Sequence, residues 1–195
     1  MSSPRQMPSV NAPANRRRVL AWLALLAVPA GVVPAAGAVT KEHQIKAAFL
    51  YNFTKFITWP AQRPGRPEPV FVIGILGRNP FGTELENIAR GRKVSGLPLQ
   101  IRYLKSVNEA PGVDLLFVAS GEEALLGTSL SALHEASVLT VGESASFAKL
   151  GGIINFRMVE DKIRFEIYRD AGARARLKIS PQLLKLAITA RKDKS

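Results

Sequence analysis

The chain has 195 residues and carries 27 Lys and Arg against 15 Asp and Glu, a formal net charge of +12. It holds no cysteine, which excludes disulfides, a thiol nucleophile, thiolate metal ligation and a lipidated N-terminal cysteine. The basic balance favours anionic partners but does not choose among nucleic acid, lipid headgroups, cell-wall polymers and acidic proteins.

Residues 1–38 read as an export signal. Arg16, Arg17 and Arg18 form a positive n-region, and residues 19–33 (VLAWLALLAVPAGVV) form an apolar h-region interrupted by Pro29. Ala36, Gly37 and Ala38 supply a small-x-small cleavage pattern, so cleavage is expected after Ala38. The competing reading, a retained membrane anchor, is disfavoured because the run is short for a span and contains Pro29 and Gly31. Both the Sec and the twin-arginine routes remain open. Residues 39–195 show no repeat and no low-complexity linker and are expected to form one domain.

The first element after the signal is residues 45–60, IKAAFLYNFTKFITWP. Ile45, Ala48, Phe49, Phe53, Phe56 and Ile57 recur at three- and four-residue steps and predict an amphipathic helix ending in a Trp59–Pro60 corner. Phe49, Phe53 and Phe56 are expected to serve a core. Tyr51 and Trp59 are candidate contact residues, amphipathic rings that can remain partly exposed. A Pro- and Gly-rich loop follows. Residues 70–76 (VFVIGIL) then suit a strand buried on both faces.

The loop Gly77, Arg78, Asn79, Pro80, Phe81 and Gly82 precedes a predicted helix running to Arg90, with Asn79 as cap and Pro80 in the first turn. Residues 93–94 can pair briefly, and residues 99–104 alternate, with Leu99, Ile101 and Tyr103 inward. Residues 114–119 and 137–141 read as further core strands. Between them a helical stretch opens at Ser120, breaks at Gly127 and resumes to Glu135. A short helix over 144–150 stops at Gly151 and Gly152. Residues 153–159 and 162–168, joined by Glu160 and Asp161, predict an antiparallel hairpin. Helices over 170–177 and from Ser180 through Ala190 close the chain. Alternating strands and helices with a terminal hairpin predict an α/β fold: a three-layer αβα sandwich, mostly parallel, with the antiparallel hairpin at one edge.

Chemistry is sparse. His43 and His134 lack metalloprotease spacing and read as unliganded surface histidines. Ser120 follows a strand but lacks the glycine before it and a positioned base, so it reads as a cap. Asp114 begins its strand, whereas a receiver domain needs its phosphorylatable Asp at a strand end. No catalytic residues, metal site or cofactor are expected.

Two stretches merit weighing as binding sites. Gly77, Arg78, Asn79, Phe81 and Gly82 sit where α/β sheets bind anions, although an ordinary βα turn explains them as well. Arg169, Arg174, Arg176 and Lys178 form a basic cluster near the last two helices, either a solvated face or a docking face for an acidic partner. An exported protein with few aromatics in that cluster is not expected to bind nucleic acid.

Taken in order, residues 46–60 (KAAFLYNFTKFITWP), 73–82 (IGILGRNPFG), 138–143 (VLTVGE), 151–156 (GGIINF), 163–168 (IRFEIY) and 177–187 (LKISPQLLKLA) resemble the YfiR family of exported bacterial proteins. The first and last stretches carry most of the specificity. The resemblance implies a periplasmic, non-catalytic regulator that binds the periplasmic sensing domain of an inner-membrane diguanylate cyclase of the YfiN type and holds it inactive. It also implies an OmpA-like outer-membrane lipoprotein of the YfiB type that relieves repression, and a capacity to form homodimers. The output would be cyclic di-GMP level and hence biofilm formation. Tyr168, Arg176 and Pro181 depart from the family pattern, close to the basic cluster. The alternative function is that of a periplasmic small-ligand (anion) binding protein or transport accessory, using the Gly77–Gly82 loop.

Overall fold

The computed structural model describes residues 40–61, 69–126 and 128–191, with side chains through residue 188. The expected export signal, most of the Pro-rich loop, Gly127 and the last four residues lie outside the described residues. Every described residue belongs to one compact unit, Gly37–Ser195.

Helix α1 spans Lys41–Phe56. Thr40 caps it, its hydroxyl accepting from the His43 amide. The helix stops three residues short of Trp59 because Ile57 and Thr58, both β-branched, turn extended and form β1 (Ile57–Thr58). That strand pairs antiparallel with β9 (Lys178–Ile179), and the Ser180 amide donates to the free carbonyl of Phe56.

The buried face of α1 is rotated from the predicted one. Lys46, Ala47, Leu50, Phe53 and Thr54 are buried, whereas Ile45 and Ala48 are exposed. Phe53 is fully enclosed and Phe49 packs on it. The rotation brings a lysine inside, and the acids described below make that tolerable.

The sheet contains β2 (Phe71–Leu76), β3 (Lys93–Val94), β4 (Leu97–Leu104), β5 (Leu115–Val118), β6 (Leu139–Gly142), β7 (Ile154–Val159), β8 (Lys162–Tyr168) and β10 (Thr189–Arg191). Its order is β10-β8-β7-β6-β5-β2-β4-β3. All neighbours are parallel except the β7–β8 and β3–β4 pairs. This is the expected mostly parallel sheet with its hairpin near one edge. One further strand, β10, lies outside the hairpin, where a continued helix is expected from sequence. Helix α6 ends at Leu186 because Ala187 turns extended, and the Ile188 amide donates to Phe165.

Alternation along β2 and β5 sorts the core into two faces. Phe71, Ile73, Ile75, Leu115 and Phe117 point to one side, with α1, α2 (Glu84–Ala89) and α6 (Pro181–Leu186). Val72, Leu76, Leu116 and Val118 point to the other, with α3 (Leu130–Glu135) and α4 (Ala145–Leu150). Helix α5 (Arg169–Arg174) follows β8. The result is the expected three-layer sandwich.

Smaller corrections follow. The stretch after Ser120 is a 3-10 turn at Glu123–Leu126 before α3. Tyr103 is 44% exposed, and Leu104 is the residue that turns inward. The β7–β8 turn uses Glu160 and Asp161, both with positive φ (48° and 56°), as a two-residue hairpin turn requires. Gly142 and Gly152 are fixed by packing: a Cβ there would lie 2.2 Å and 2.0 Å from ring atoms of the fully buried Phe147.

Candidate functional site

Three places hold the residues singled out from sequence, and the fold keeps them apart. The first lies at the amino ends of the parallel strands. There the last turns of α1, strand β1 and the β3–β4 hairpin enclose a cavity of about 680 Å³ that both Tyr51 and Trp59 line. Ile57, Phe71 and Val94, all buried, supply its apolar wall. The Trp59 ring meets Phe71 edge-on at 4.9 Å, and its indole N–H donates to the Asp114 carbonyl at 3.2 Å. Trp59 thus pins the chain leaving α1 across the starts of β2 and β5. It is half-buried, anchored on the fold by these contacts while also lining the cavity.

Tyr51 is surrounded by charge. The Lys55 ammonium lies 4.5 Å from its ring centroid and the Arg92 guanidinium 4.6 Å from the same centroid. Lys55 is one turn away, so its spacing is visible in sequence. Arg92 arrives from the loop before β3, which only the fold reveals. Lys93 lines the cavity as well. Among the described residues no carboxylate pairs with Lys55, Arg92 or Lys93, and all three are exposed.

The second place is the carboxyl end of β2. The strand order reverses between β2 and β5, the switch point at which open α/β sheets bind ligands. The Gly77–Gly82 loop stands there, but the protein fills much of the crevice itself. Phe81 is fully buried against Phe117. The Asn79 side chain closes the turn, accepting from the Phe81 amide and donating to the Gly82 carbonyl, both at 2.8 Å. Helix α2 therefore begins only at Glu84, not at Pro80. Gly77 has φ of 82°, and a Cβ there would lie 2.7 Å from the Glu122 side chain. Arg78 is exposed, its Nε 4.0 Å from Glu122.

Beside this loop Lys46 reaches from α1 to Glu143, 2.5 Å away, and also pairs with Glu42. The other Glu143 oxygen accepts from the Ser120 amide at 2.9 Å. Burial pulls the Lys46 pKa down, but the hydrogen bonds and charges of Glu143 and Glu42 more than offset this and raise it above the ordinary lysine value. One ion pair thus ties α1 to the ends of β5 and β6. Sequence reading missed it because Lys46 and Glu143 are 97 residues apart.

The third place is the basic cluster. Arg169, Arg174 and Arg176 are all exposed. Arg174 lines a shallow depression of about 350 Å³ with His134, Glu135 and Gly151. Arg176, at φ of 56°, donates to the Glu135 carbonyl at the end of α3. His134 is only 6% exposed, not the surface residue expected, and its Nε2 has no hydrogen-bond partner among the described residues. Burial, then the nearby Arg174 charge, pull its pKa below the ordinary histidine value.

Among the described residues, no group of three His, Cys, Asp or Glu side chains could hold a metal ion. Among them, too, no helix is long and apolar enough to cross a membrane.

Comparison with known proteins gives one decisive match. No curated protein sequence matches the chain. Among solved structures, an ABC domain in complex with L-Trp from Streptococcus pneumonia is similar at 14% identity and a TM-score of 0.45. The match covers 64% of this chain and 56% of that one, too distant a likeness to carry a functional reading. The sequence profile of the YfiR/HmsC-like family, by contrast, matches residues 43–188, from the first turn of α1 to the residue before β10. The chain belongs to the YfiR/HmsC-like family.

Proposed function

We propose that this protein is a periplasmic repressor that binds the sensing domain of an inner-membrane diguanylate cyclase and holds the cyclase inactive, lowering cyclic di-GMP and biofilm formation. The observation that carries the reading is the family match over residues 43–188, most of the described fold. The family supports a regulatory rather than catalytic role in this signalling system. An OmpA-like outer-membrane lipoprotein that competes for the repressor completes the proposed circuit.

The exposed Arg169, Arg174 and Arg176 are the proposed contact for acidic groups of a partner. Tyr51 is a second proposed contact, since its ring stands at a cavity mouth. Deleting the gene is expected to raise cyclic di-GMP and surface attachment. Complementation with the full chain restores both, whereas Arg169→Glu combined with Arg174→Glu does not, although that variant folds. Unchanged cyclic di-GMP on deletion, with no cyclase co-purifying with the full chain, would overturn the reading.

A further inference from the structure

We infer that the cavity at the end of α1 is a binding site for a small organic anion, one with a carboxylate or phosphate head and an apolar body. The inference does not use the partner reading and concerns a different place from the Gly77–Gly82 loop.

The volume, about 680 Å³, lies in the range of small-molecule sites and exceeds what a few waters need. The inner wall is apolar: Ile57, Phe71 and Val94. The rim is cationic: Lys55 and Lys93 line it, and Arg92 covers the Tyr51 ring that also lines it. Lys55 and Arg92 both lie within 5 Å of one ring centroid, so the Tyr51 ring gathers two cations around it. Among the described residues no carboxylate pairs with either cation. An anion seated at the mouth would gain from Lys55 and Lys93, and the ring holds Lys55 in place beforehand.

The rest of the molecule makes the contrast. The buried Lys46 has its charge met by acids of the fold itself. The exposed Lys55 and Lys93 have no carboxylate partner among the described residues and line the cavity together with Tyr51, Trp59 and the hydroxyls of Thr58 and Ser95. An apolar wall with a cationic mouth selects an amphiphilic anion over both an inorganic ion and a neutral apolar molecule.

The test is titration calorimetry of the full chain with hexanoate, hexyl phosphate, inorganic phosphate and hexanol, in low salt and again in 0.5 M NaCl. One or both organic anions are expected to bind, and comparing their arms identifies the preferred head. Inorganic phosphate and hexanol should bind at least about ten-fold more weakly, and salt should weaken the organic anions. Lys55→Gln with Lys93→Gln, exposed positions that leave the fold intact, should reduce organic-anion binding by about ten-fold or more. Silence from both organic anions, hexanol binding as well as hexanoate, or full affinity in the double variant would each overturn the inference. Failure here would leave cyclic di-GMP control untouched, and failure there would leave this site untouched.

Discussion

Replacing Lys46 with methionine tests whether the ion pair at the switch point holds α1 on the sheet. Lys46 is 6% exposed, and the Glu143 side chain is only 10% exposed. Methionine fills a similar volume but strands the Glu143 carboxylate with the Ser120 amide as its remaining hydrogen-bond partner. Breaking a buried pair from one side costs about 3–5 kcal/mol. Glu42 is 40% exposed and regains water, so one carboxylate pays rather than two, and the lower figure, about 3 kcal/mol, applies. For a chain of this size that lowers the melting temperature by roughly 6–12 °C. Lys46→Met with Glu143→Gln should recover most of the loss, to within about 1.5 kcal/mol of the parent, because glutamine still accepts from Ser120 and carries no charge. Urea denaturation of the parent, both single variants and the double variant measures the coupling. A loss below about 1 kcal/mol in Lys46→Met, or a double variant as unstable as the sum of the singles, would refute the reasoning. The raised Lys46 pKa sets the pH window: its contribution is fully present below the ordinary lysine value and is lost as pH rises through the higher folded value.

Two further tests follow from buried groups. Gly152→Ala places a methyl 2.0 Å from the Phe147 ring, which has no room to retreat, so about 3 kcal/mol of stability should be lost; a melting temperature unchanged within a degree would contradict that packing. His134 has a folded pKa below its unfolded value of about 6.5, so the unfolded chain takes up a proton that the folded chain resists. Stability should fall as pH drops below about 6.5, and His134→Asn should flatten that slope between pH 7 and 5; parallel slopes in the two proteins would remove His134 as the cause.

Much of the fold is legible locally because local rules govern it. Ser144 caps α4 and Gly151 ends it at φ of 99°, as a Ser–helix–Gly pattern requires. The continuous apolar runs at β2 and β5 are buried on both faces, and the β7–β8 hairpin pairs at Val159 and Lys162 as its two-residue turn dictates. Misreadings arise where distant partners override local preference. Lys46 sits inside because Glu143 arrives from 97 positions away. The last helix gives way to β10 because the β8 edge offers hydrogen bonds that a helical continuation cannot use.

The candidate sites divide in the same way. The sequence by itself determined the α/β alternation, the family stretches and the presence of Tyr51 and Trp59 at the end of the first helix. It also displayed the arginines after β8, but not what they touch. Only the tertiary structure decided that Tyr51 and Trp59 share one cavity. It also decided that Arg92 joins Lys55 over one ring, and that His134 is enclosed beside Arg174. The physical reason is range. Caps, turns and periodicity act within a few residues, whereas charge clustering and cavities depend on which distant segments the sheet order brings side by side.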